Sequence, residues 1–89
     1  MCRNIKMLYN FEPPATEAEI RAAATQFVRK ITGFAKPSAA NQEAFDLAVD
    51  EVTRAASKLL GSLVTSAAPR DRQIEAARAH ARAVTRFNR

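Results

Sequence analysis

The stretch from Asn41 to Leu63, NQEAFDLAVDEVTRAASKLLGSL, decides how the rest of the chain is read. Phe45, Val49, Val52, Ala56, Leu59, Leu60 and Leu63 recur in it at steps of three and four, which puts them on one stripe of a 3.6-residue helix. The other face carries Glu43, Asp46, Asp50 and Glu51 in its first half and Arg54 and Lys58 in its second, the order a helix macrodipole favours. Asp50 and Arg54 also stand i,i+4, a spacing that adds roughly 0.2–0.5 kcal/mol as an ion pair. Ser38, just after Pro37, and Asn41 both suit the helix start. Gly61 is a potential stop, yet the stripe runs on through Leu63 and a mid-helix glycine costs only about 1 kcal/mol. The expected helix therefore continues to Leu63, or as far as Ser66.

Upstream, Thr16-Glu17-Ala18-Glu19 has the form of a capping box, and Ile20, Ala23, Ala24, Phe27, Val28 and Ile31 follow as one apolar face. Gly33 then Phe34 reads as a left-handed stop, so a first helix is expected over Glu17 to Thr32. The short loop from Phe34 to Pro37 sets the two helices side by side and antiparallel. Downstream, Pro69 sits at or near the first turn of a third helix, expected from about Arg70 to Arg86. Its stripe of Ile74, Ala77, Ala81 and Val84 is a weak one, so this helix is expected to dock loosely, project, or pair with another chain.

Residues 1–15 support two readings, because Ile5, Met7, Tyr9 and Phe11 alternate while Ile5, Leu8 and Tyr9 suit one helical turn capped by Asn4. A lone strand has no partner in this reading. The expectation is a helical turn, a stiff Pro13-Pro14 connector, and Leu8, Tyr9 and Phe11 folded back on the core. The fold class is all-α: a small three-helix domain with a short N-terminal arm or helical turn, divided into an arm (1–15), a helical hairpin (16–66) and a basic C-terminal helix (67–89).

At 89 residues the chain fits a single domain with a modest core. Alanine dominates its apolar residues, and small side chains bury little area at about 25 cal/mol per Å². Self-association or another partner is expected on that ground. The net charge of +5 is uneven: residues 1–65 hold eight Lys/Arg against seven Asp/Glu, and residues 66–89 hold six against two. A lone Cys2 excludes an internal disulfide, and a lone His80 beside it excludes a Cys/His zinc site, so no metal or cofactor is expected. No signal-peptide core and no apolar run near the ~20 residues of a membrane span is present. A soluble, cytoplasmic protein is expected.

Met1-Cys2-Arg3-Asn4-Ile5-Lys6, Asn10 to Thr16, Gln26 to Lys30, Gly33-Phe34 with Lys36-Pro37-Ser38, and Pro69-Arg70-Asp71-Arg72 together resemble a small bacterial family, domain of unknown function 2277. The resemblance spans nearly the whole chain. It implies a shared fold and brings no activity, cofactor or functional residue with it.

Three functional readings follow from the residues. The first is a non-enzymatic interaction or structural module, with a homodimer joined by alanine-rich faces as its expected form. The second is nucleic-acid binding: Arg78, Arg82 and Arg86 stand at i, i+4 and i+8, with Arg89 joining them if the helix persists, and a row of like charges suits a polyanion. Its plain alternative is a solvated basic face near a helix C-terminus, and without interleaved aromatics that alternative ranks higher. The third is a thiol enzyme using Cys2, exposed as the N-terminal residue once Met1 is trimmed, with Arg3 and Lys6 favouring the thiolate. No base lies near Cys2 in sequence, so a residue tucking in the N-terminus ranks above it. His80, off the arginine row, reads as a surface residue. Arg29-Lys30 reads as a helix end that suits the dipole.

Overall fold

The computed structural model describes residues 5–87. Its elements run β1 (Phe11–Glu12), α1 (Glu17–Thr32), a 3-10 turn (Ala39–Asn41), α2 (Gln42–Ser62), β2 (Arg70–Asp71) and α3 (Arg72–Phe87).

α1 begins where its sequence says. Thr16 Oγ1 accepts from the Glu19 amide at 3.2 Å, and Glu19 Oε1 accepts from the Thr16 amide at 3.0 Å, so two otherwise orphaned donors are satisfied reciprocally. It ends at Gly33, whose φ of 77° is left-handed and whose amide donates to the Arg29 carbonyl at 2.8 Å. Thr16→Ala is expected to cost about 1 kcal/mol, read as a lower midpoint in thermal unfolding followed by helical circular dichroism; an unchanged midpoint would count against the box.

α2 passes straight through Gly61, and Leu63 closes it by donating its amide hydrogen to the Leu59 carbonyl at 3.2 Å. Neither expected cap acts through its side chain on α2: Asn41 Nδ2 instead donates to Ser38 Oγ at 3.0 Å, across the 3-10 turn that leads in. The i,i+4 pairing of Asp50 with Arg54 is not the one made. Asp50 meets Arg21 of α1 at 2.7 Å, because antiparallel packing sets the two residues opposite each other.

The core is the seam between α1 and α2. Ala24, Val28 and Val49 are buried in it, with Phe45, Ala48 and Val52 packed against them, and Ile20 is buried nearby. Thr53 is buried too, and its hydroxyl donates to the Val49 carbonyl at 2.7 Å, so it brings no unpaired polar group inside.

The arm differs from expectation. Residues 5–15 contain no helical turn; β1 pairs in parallel with β2, Phe11 opposite Arg70 and Glu12 opposite Asp71. Asn10 makes the entry. Its φ of 62° is a left-handed conformation that asparagine tolerates; its carbonyl accepts from the Arg70 amide at 2.8 Å, and its side-chain amide donates to Ala68 O at 3.1 Å. Leu8, Tyr9 and Phe11 are half-buried beside Leu60 and Gly61, at the C-terminal end of α2.

α3 starts two residues later than expected, since Arg70 and Asp71 belong to β2, and Asp71 Oδ1 caps it by accepting from the Ile74 amide at 3.0 Å. It forms no packed layer with α1 or α2. The molecule is accordingly flat, 44 × 38 × 16 Å, with a radius of gyration of 15.9 Å, against about 12 Å for a compact domain of this length.

Candidate interaction surface

Arg72, the first residue of α3, holds three parts of the chain together. Its guanidinium meets Glu19 as a two-pronged pair, Nη1 to Oε2 and Nη2 to Oε1, both 2.8 Å. Nε donates to the Pro13 carbonyl at 2.7 Å, and the group lies 5.8 Å from the centre of the Phe11 ring. The planar fork of arginine suits this set, and a lysine ammonium does not. One side chain thus joins α3, the arm and the first turn of α1. The Arg72 hydrogen bonds, and after them the Thr16 amide, hold the Glu19 carboxyl at about 2, against an ordinary 4.5. Glu19 in turn raises Arg72 further above its usual value.

This clamp sets which way α3 faces. Arg72 points back to the body. At 100° per residue Ile74, Ala77, Ala81 and Val84 lie roughly 120–200° around the helix from it, so the apolar stripe points away from the chain's own hairpin. Ile74 is 52% exposed and Val84 42%. Arg78 and Arg82 form the adjoining strip, both exposed; Arg78 leans on Glu75 at 3.4 Å, a surface pair of small effect. His80 is exposed, away from that strip. Arg86 falls in the last turn of α3, but its side chain, like Cys2 and Arg89, lies outside the described residues.

The hairpin has two unlike faces. On one, Glu17 and Arg21 of α1 and Asp50, Arg54 and Ser57 of α2 line a polar groove. On the other, Phe27 of α1 and Leu59 of α2 share a side by helical phase, flanking the partly buried Val52, and among the described residues they stay open: Phe27 is 43% and Leu59 57% exposed. A third helix would ordinarily lie there. Among the described residues no three of His, Cys, Asp and Glu gather into a metal-holding group, and no helix is long and apolar enough to cross a membrane.

Sequence reasoning placed α3 and its stripe but missed Arg72. Its one legible trace was that Asn10 to Thr16 and Pro69 to Arg72, two of the runs behind the resemblance, are the runs that meet at the clamp.

The model of the family described as "Uncharacterized conserved protein (DUF2277)" matches residues 1–78. No curated protein and no solved structure matches the chain. The match takes in the arm, the hairpin, the clamp and the first half of α3, leaving Arg82, Arg86 and Arg89 beyond it, and on this ground the chain belongs to the DUF2277 family.

Proposed function

We propose that the protein is a non-enzymatic interaction module whose docking element is α3. The observation behind this reading is the direction of the stripe: Ile74 and Val84 stay open while Arg72, at the same helix's first turn, is fastened to the body. An amphipathic helix held at one end and bare on its apolar side is the form in which helices enter grooves on partner proteins. A second reading rests on the exposed Arg78 and Arg82, which stand clear of the hairpin on a projecting helix and suit phosphate contacts without sequence preference.

Affinity purification of the tagged chain from its native cell separates the two. Ala81→Glu spoils the stripe and spares the arginines; Arg78→Glu with Arg82→Glu does the reverse. The expected result is a co-purifying polypeptide, the chain's own untagged copy included, that is lost with Ala81→Glu and survives nuclease. Nucleic acid lost only with the arginine changes, and weakening steeply as salt rises, would favour the second reading. Capture indifferent to Ala81→Glu would sink the first.

A further inference from the structure

Each chain leaves two apolar surfaces open, and neither can cover the other within that chain. One is the hairpin side that presents Phe27 and Leu59; the other is the α3 stripe, which the Arg72 clamp turns outward. Resting on the reading of α3 as a docking element, we infer that its partner is a second copy of this chain: α3 of each protomer lies across the open side of the other's α1–α2 hairpin, and the exchange is reciprocal.

Shape favours this occupant. The hairpin side offers large side chains, and the stripe offers Ala77 and Ala81, small enough for the helix to approach closely between them. Length agrees as well: 16 residues of α3 make a rod of about 24 Å and 21 residues of α2 one of about 31 Å, so the shorter fits along the longer. A stable interface typically buries ~1,600 Å² in total, and a reciprocal exchange brings two helix-on-hairpin contacts toward that total where a single contact brings one. A two-fold axis then closes the assembly with both of these sides covered in each copy.

The simpler symmetric pairings do worse. Two α3 stripes packed antiparallel would set Arg78 and Arg82 of one copy beside those of the other and leave both hairpins bare. Two hairpins packed face to face would leave both stripes bare. In the exchange, by contrast, α3 laid with its arginine strip toward the outer edge of α2 brings that strip past Glu51, which stands exposed with no ion-pair partner among the described residues. Lys58 stands two turns further along that edge, so the apolar match supplies more of the attraction than charge does.

The reciprocal form has a signature in mixing. Ala81→Glu spoils both stripes of a homodimer, and Leu59→Glu spoils both hairpin sides, yet a mixed pair keeps one intact contact: α3 from the Leu59→Glu chain on the hairpin of the Ala81→Glu chain. Sedimentation velocity on the full chain is expected to show a dimer for the native sequence, monomers for each variant alone, and a dimer, weaker than native, when the two are mixed. Circular dichroism checks that each variant keeps native helicity, and Val84→Glu and Phe27→Glu take the places of any that do not. A dimer that survives Leu59→Glu points to paired α3 helices, and one that survives Ala81→Glu points to paired hairpins; either overturns the exchange. So does a mixture that stays monomeric. A monomeric native chain overturns the second copy as partner while leaving the docking reading intact, since that reading fails separately, through capture from the cell that ignores Ala81→Glu.

Discussion

Arg72→Ala is expected to release the arm and α3 together while leaving the hairpin folded. Among the described residues only this side chain reaches Glu19, the Pro13 carbonyl and the Phe11 ring at once. The β1–β2 ladder beside it is two residues long on each strand, far below what holds an isolated pair of strands in water. With the clamp gone, the Arg70 amide, bonded to Asn10 O at 2.8 Å, should exchange its hydrogen faster by roughly tenfold or more, because bonds to charged groups are among the strongest in the set. Protease cuts should concentrate between Leu63 and Arg72. Core amides of α1 and α2 should keep their protection, since their seam does not involve Arg72. Arg72→Lys should behave nearly like alanine, because an ammonium cannot make the fork. Uniform loss of protection throughout the chain would show instead that the clamp and the hairpin unfold as one unit.

The same clamp carries a pH dependence of definite sign. The Glu19 carboxyl is held at about 2 when paired with Arg72, and on release it rises toward its ordinary 4.5, with the Thr16 amide still drawing it down. Above pH 4.5 it is ionised in both states and the attachment is at full strength; as the pH falls below 4.5 the released form takes up a proton first, and the attachment weakens until about pH 2. Exchange at Arg70 should therefore be steady near neutrality and rise only in that acid window, after correction for intrinsic rates. Glu19→Gln should abolish the window.

What was legible in the sequence was what has a period or a local partner. α1 could be bounded at both ends because its start is a bond between residues three apart, Thr16 and Glu19, and its stop is one glycine with a left-handed φ. α2 announced itself by its stripe, and its passage through Gly61 followed from the apolar residues beyond. The expected resemblance and the three-helix architecture both stand. The β1–β2 pairing was illegible for the opposite reason: two residues have no periodicity, and their partners lie 59 positions away in the chain. The same distance hid Arg72, which in sequence is one more arginine in a basic tail. Asp50 had two cationic neighbours to choose between, Arg54 a turn away and Arg21 on α1, and only the packing of the helices selects Arg21. The direction of α3 was open for the same reason, because a clamp invisible in the sequence aims it.

Val28→Asp is expected to unfold the hairpin altogether, and with it most of the helix signal. Val28 is 3% exposed in a seam it shares with the buried Ala24 and Val49, with Ile20 buried nearby. A carboxylate placed there has to stay ionised in apolar surroundings or take up a proton, and either costs several kcal/mol. A domain of this length has only about 4–13 kcal/mol in total, and this one, with no second layer of helices over its seam, has little else to draw on. The helices would not outlive the seam. Segments of 16 and 21 residues are marginal in water on their own, so losing the packing melts them and does not merely let them slide apart. Ile31→Asp, one turn along the same helix but 67% exposed, should cost less than about 1 kcal/mol, most of it from an anion near the helix C-terminus. The contrast between the two is the measurement: circular dichroism and a urea titration of both variants against the native chain. Were Val28→Asp to keep native helicity and midpoint, the stability of α1 and α2 would have to come from somewhere other than the seam, and a partner covering the hairpin's open side would be the first place to look.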